Sequence, residues 1–319
     1  MNAEQTLFPF GAKMAAGGGF IWLFLLFGTA TGRFSLSIFD LLFLLAVWLV
    51  VPLTLSLLPA TSSRITRMVC DVILYCLLPG AIFATVGFRL PVGRAAGLAT
   101  LPWFVVAVFL AVDGLARLIR TRLRSFQEFC FAFGEGYALV GALWLAASRL
   151  GLQPVGFREP IVLLTAIHFH YAGLMAAVLA GLAASSMRTP LFLRIALSCA
   201  VLGPGLLGLA FLVGPKLKLA AVGLMVIGEC GIAFATLRIA LASLSEFGGR
   251  LLLVASACVL FGMALAGIWA VGEYPLHSFV NLEQMARYHG VLNSVGFGLC
   301  SLVGWTLLRR DRRPGWESV

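Results

Sequence analysis

The chain has 319 residues, 61% of them hydrophobic and 11% charged, with a formal net charge of +10. That balance excludes an ordinary soluble domain, and continuous apolar runs of about 20 residues exclude a β-barrel, whose strands are short and alternating. What remains is an all-α fold, a polytopic transmembrane helical bundle, because a spanning helix satisfies its own backbone in lipid.

Ten apolar spans are predicted, roughly 18–31, 38–60, 67–88, 94–117, 128–149, 160–183, 190–213, 218–243, 250–271 and 286–308. The first is short and ends in "GTATGRFS". Read as re-entrant or interfacial, it leaves nine crossings. The stretch before it, "MNAEQTLFPFGAKMAAGGG", reads as an interfacial lead-in without the small-residue cleavage site of a signal peptide. Connections are short and no repeat stands out, so 1–319 is read as a single transmembrane helical domain.

Basic residues set the orientation. The predicted 117–127 loop carries Arg117, Arg120, Arg122 and Arg124, and the tail carries Arg309, Arg310, Arg312 and Arg313. Summed over loops and ends, one side holds 13 cations and the other 8. The richer side is assigned as cytoplasmic, which puts the C-terminus in the cytoplasm, with the chain crossing the bacterial cytoplasmic (inner) membrane many times. These cations sit where they meet anionic headgroups, so the expected partners are membrane lipids, not nucleic acid. The seven cysteines lie in apolar spans without a CxxC, and no disulfide or metal cluster is expected of them.

Ionisable groups at membrane depth are the functional candidates. The sixth span opens on Arg158–Glu159–Pro160 and carries His168 and His170, about 12–15 Å down. Two residues apart, they face nearly opposite ways on a regular helix and cannot both hold one metal. Interhelical hydrogen bonding is as good a reading of either as catalysis, and Arg158–Glu159 also reads as a capping feature. Glu229, in "VIGECGIAF", lies about 16 Å down the eighth span. An acid at that depth suits a general acid or a proton-coupled step. Glu135, in "FGEGYALV", is similar, about 10 Å in, with glycines on both sides. In the tenth span His289, Asn293, Gly296 and Cys300 share one face. The polar pair there is a candidate site wall, and the small stripe reads as helix packing. Phe126, Phe129, Phe131 and Phe133 gather at the start of the fifth span, and Phe169 and Tyr171 flank the histidines. Most such rings are lipid-facing bulk, while a subset facing a cavity stabilises cations. No Walker A, GxSxG, HExxH or Asp-rich diphosphate motif is present.

The blocks "REPIVLLTAIHFHYAG" and "ARYHGVLNSVGFGLCSLVGW" resemble the YndJ-like family of bacterial multispan proteins, over about 40 residues. The chain is also similar to membrane-integral terpene cyclases of actinobacterial terpenoid pathways. That likeness implies protonation of an alkene or epoxide of a linear isoprenoid or meroterpenoid, followed by carbocation cyclisation, an isomerase reaction without a cofactor. On that expectation Glu229, with Glu135 or Glu159 as substitutes, is the acid, and His168 and His170 orient it or take the final proton. His289, Asn293, Phe169, Tyr171 and Tyr137 contact the lipophilic small-molecule substrate. A proton-coupled transporter, or a haem- or copper-binding protein with ligands such as His170 and His289 on different spans, are the alternatives.

Overall fold

The computed structural model describes residues 6–273 and 281–311. Among them ten helices are long and apolar enough to cross a membrane, and the one β-bridge is Thr6 with Pro59. The spans are α1 (Gly11–Ala30), α2 (Ile38–Leu57), α3 (Arg64–Arg89), α5 (Leu101–Thr121), α6 (Phe126–Leu150), α7 (Ile161–Ser186), α8 (Leu191–Val213), α9 (Pro215–Ala242), α10 (Phe247–Glu273) and α11 (Leu282–Arg309), with a short helix, α4 (Arg94–Ala99), before α5. Of the tail arginines, Arg312 and Arg313 lie outside the described residues, as does the Arg310 side chain.

Local chemistry sets the ends. Ser37 and Asp40 form a capping box at the start of α2. Ser63 caps α3 through Thr66 N, and Ser125 caps α6 through Glu128 N. Gly151, at φ 75°, takes the left-handed turn that ends α6.

Two boundaries differ from the sequence reading. The predicted 94–117 span is broken at Thr100, because Pro102 lacks the N–H that would continue the α4 ladder and is well placed to start a new helix. Hydropathy does not change across that break. The helix after it runs on to Thr121, so Arg117 belongs to a span and not to a loop. The first span is a full 20-residue helix that begins at Gly11. It lies on α2, where Gly11 and Gly18 face the carbonyls of Pro52 and Trp48 with no room for a Cβ. The lead-in residues are pinned as well: Leu7 N and Phe8 N donate to Leu58 O and Leu55 O at 2.8 and 3.2 Å.

Stretches of wider π-helix interrupt three spans: 46–50 in α2, 169–175 in α7, and 286–290 and 292–299 in α11. Such bulges concentrate where side chains are re-aimed, often at functional sites.

The chain forms two compact units, Met1–Met175 and Ala176–Val319. In the first, α2 is the central span, 78% buried. It meets α1 and the N-terminal half of α7, α7 meets α6, α6 meets α5, and α5 meets α3. Hydrogen bonds from Trp22 to Leu41 O, Trp48 to Thr85 and Tyr171 to Leu42 O tie α1, α3 and α7 to α2, each at 2.9 Å. In the second unit, the C-terminal part of α7 packs on α8 and α9, α9 on α10, and α10 on α11. The α8–α9 contact is close because Gly228 lies against the Ala200 backbone and Gly231 against Ala196.

Gly228→Ala is therefore expected to force α8 and α9 apart, at about 1–3 kcal/mol, and to lower the thermal midpoint in detergent. Gly223→Ala, on the same helix with open space around it, is the control that leaves the midpoint unchanged.

Candidate functional site

In the first unit the polar groups gather on Arg117, which has no exposed surface. Its Nε donates to Asp113 Oδ2 at 2.9 Å, one turn earlier on α5. Its terminal nitrogens donate to Glu128 Oε2 on α6 at 3.2 Å and to the Pro59 carbonyl after α2 at 2.6 Å. Glu135 Oε2, from deeper in α6, lies 3.1 Å from the same Nε, but that hydrogen is spent on Asp113 and neither Glu135 oxygen accepts a hydrogen bond. Gly114, one residue beyond Asp113, leaves the space that Glu135 fills. Asp113 Oδ1 accepts from Thr66 Oγ1 on α3. With its hydrogen given to Asp113, Thr66 Oγ1 accepts from Ser63 at 3.0 Å and from Thr61 at 2.6 Å. Thr61 in turn accepts from the half-exposed Arg120 at 2.9 Å. A string of polar groups thus runs from the edge of the unit to the buried acid pair.

His170 is the second centre. Trp103 Nε1, which can only donate, lies 3.1 Å from His170 Nε2. Nε2 is therefore the acceptor, and Nδ1 carries the proton given to Ala166 O at 2.7 Å. Both ring nitrogens are committed. The ring also meets Phe43 of α2 edge-on at 5.1 Å, and Gly141 of α6 makes room for it: a Cβ there would sit 2.6 Å from Nδ1. Four spans converge on this imidazole. His168 turns elsewhere, against Phe169, with ring centroids 5.8 Å apart. Phe169 lies 5.4 Å from Tyr137, and the rings of Tyr137, Phe133, Phe129 and Phe126 follow one another along α6. The structure therefore brings His168, Phe169 and Tyr137 together. It gives Tyr171 a bond to the Leu42 carbonyl. Glu159 is placed as a cap, accepting from Leu163 N at 3.2 Å.

The second unit holds the other candidates. Glu229 is 3% exposed on α9, and its Oε2 has no hydrogen-bond partner. Among the described residues no ion pair reaches it, in contrast with Glu135. His289 Nδ1 donates to the Gly262 carbonyl of α10 at 2.8 Å. The Asn293 amide nitrogen lies 3.1 and 3.2 Å from the two ring nitrogens of His289, hence over the ring, and donates to His289 O at 3.0 Å. Asn293 Oδ1 is left without a partner. Both residues lie in the π-helical stretches of α11, yet they share the face expected of them: each meets Gly262 of α10, and Gly296 meets Cys258 of the same helix. Among the described residues, no group of three or more His, Cys, Asp and Glu could hold a metal ion.

The model of the YndJ-like protein family matches residues 41–297, from α2 into α11. The chain belongs to that family. A relative from Bacillus subtilis (strain 168), described as the uncharacterized membrane protein YndJ, is 28% identical over 243 residues, which is 76% of this chain and 43% of the relative. The chain thus spans less than half of that relative's length. No solved structure matches. The region shared with the family contains the Arg117 cluster, His170, Glu229 and the His289–Asn293 pair.

Sequence reasoning missed Arg117, Asp113, Thr66 and Trp103 as site-forming residues. The four-residue spacing of Asp113 and Arg117 was the available signal, and Trp103 carried none. Arg117→Met strands Asp113 and Glu135 as buried acids. It is expected to cost about 3–5 kcal/mol, read as a lower thermal midpoint in detergent. Adding Asp113→Asn and Glu135→Gln to that variant is expected to recover much of the loss.

Proposed function

We propose that the protein is a membrane-embedded enzyme that protonates a lipophilic substrate, with Glu229 as the general acid. The observation that carries this reading is the Glu229 carboxyl, buried in a span with Oε2 unbonded and, among the described residues, no cation paired to it. An acid held this way keeps its donor capacity for a guest molecule. The substrate class it suits is an isoprenoid or meroterpenoid chain bearing an alkene or an epoxide, which partitions into the bilayer. Proton transfer from the Glu229 carboxyl to the alkene carbon or epoxide oxygen starts a carbocation. The carboxylate left behind is the base that takes a proton back after ring closure, so the reaction is an isomerisation balanced without a cofactor. Glu135 is ion-paired with Arg117 and Glu159 caps a helix, which leaves Glu229 as the first choice among the three. His170, with both nitrogens bonded inside the first unit, is assigned to positioning.

A proton-coupled transporter is the second reading. It is favoured by the string Arg120–Thr61–Thr66–Asp113, which leads to Glu135.

The test offers an epoxyfarnesyl-type substrate to the purified protein in proteoliposomes and follows cyclised product. Glu229→Gln is expected to lower conversion about 10²–10⁴-fold. Equal conversion by the wild type and Glu229→Gln contradicts the enzyme reading. Movement of the substrate driven by an imposed pH gradient, without conversion, favours the transporter.

A further inference from the structure

At the end of the first unit opposite Arg117 lies a buried cation that none of the preceding chemistry uses. Arg149, in the last turn of α6, is 8% exposed. Its guanidinium stands over the Phe88 ring, 4.4 Å from the centroid. One terminal nitrogen donates to Ser148 Oγ at 2.9 Å, and the Nε hydrogen has no acceptor. The backbone carbonyl of Arg149 accepts from Gly93 N at 2.9 Å, which fixes the end of α6 against the start of α4.

The acids at this end are otherwise engaged. Asp40 accepts from Ser37 N at 2.7 Å, and Glu159 accepts from Leu163 N at 3.2 Å. They act on Arg149 only at longer range and form no ion pair with it. The chain turns here also bring Arg33, Arg89, Arg94 and Arg158, so five arginines stand against two acids. A buried guanidinium with an unused donor and no carboxylate in ion-pair contact is short of an anion. It lies at the end of a span, the level at which phospholipid headgroups sit.

We propose that Arg149, standing on Phe88 at this end of the first unit, is the seat of a phosphate group. The planar fork of a guanidinium matches phosphate oxygens, and its weak hydration lowers the cost of burying the pair. The phosphate can belong to a lipid headgroup or be free in solution, and the two sources separate experimentally. This proposal is independent of the role given to Glu229.

The test uses the full chain in neutral detergent with three probes: short-chain phosphatidylglycerol, inorganic phosphate, and diacylglycerol as the headgroup-free control. Phosphatidylglycerol is expected to raise the thermal midpoint of the wild type, and diacylglycerol is not. A shift with inorganic phosphate as well identifies the phosphate itself as sufficient; a shift with the lipid alone identifies a headgroup site. Arg149→Gln is expected to weaken the effective probe at least about tenfold, while Arg122→Gln, at the other end of the unit, leaves it unchanged. On the wild type alone, either effective probe is expected to slow phenylglyoxal modification of Arg149, mapped by mass spectrometry, so the result does not depend on the variant folding. No midpoint shift with either phosphate probe, equal affinity in Arg149→Gln, or unslowed modification of Arg149 overturns the proposal.

Discussion

A fully buried guanidinium is the constraint that the first unit is arranged around. Arg117 reaches the chain after α2, a partner of α3 through Asp113 and Thr66, its own α5, and α6 through Glu128 and Glu135. Removing such a charge from water is costly, and the geometry offsets the cost only because each of the three guanidinium nitrogens donates to an oxygen. The same accounting exposes what is unusual. One Nε hydrogen faces two carboxyls, Asp113 takes it, and Glu135 is left close to the positive charge without a hydrogen bond from Arg117. His170 does for the apolar middle of the unit what Arg117 does for its end. A neutral ring with both nitrogens bonded draws α5, α6 and α7 together with α2, and the missing Cβ of Gly141 permits the approach.

The second unit is built differently. Its helices meet through small residues, with Gly228, Gly231 and Gly203 letting α8 and α9 come close. Its polar groups are sparse and incompletely bonded: Glu229 Oε2, Asn293 Oδ1, Ser294 Oγ and Ser301 Oγ are buried without partners. Buried polar atoms are ordinarily satisfied, and exceptions call for a functional explanation. The contrast between a paired acid in one unit and an unpaired acid in the other is what separates structural charge from chemical candidate in this chain.

Hydropathy made the ten spans legible, and the caps at Ser37, Ser63 and Ser125 stand where serine before a helical run predicts them. The isolation of Glu229 was also legible, because no cation occurs near it in its span. Other features left no such trace. The break at Thr100 falls inside uniformly apolar sequence. Arg117 looked like a topological charge because it adjoins three loop or helix-end arginines. The π-helical stretches have no compositional signature, although His289 and Asn293 keep the shared face expected of them, both against Gly262 of α10. The His170–Trp103 bond joins residues 67 apart in sequence, and no spacing rule reaches across two spans.

The distinction between paired and unpaired acids is most directly tested by a lipophilic carbodiimide, which reacts with carboxylic acids from within the membrane. The labelled protein is digested and the modified peptides are mapped by mass spectrometry. The account predicts rapid modification of Glu229, with Asp113 and Glu135, held on Arg117, protected until Arg117 is replaced. Modification of Asp113 or Glu135 in the wild type with Glu229 untouched would contradict it.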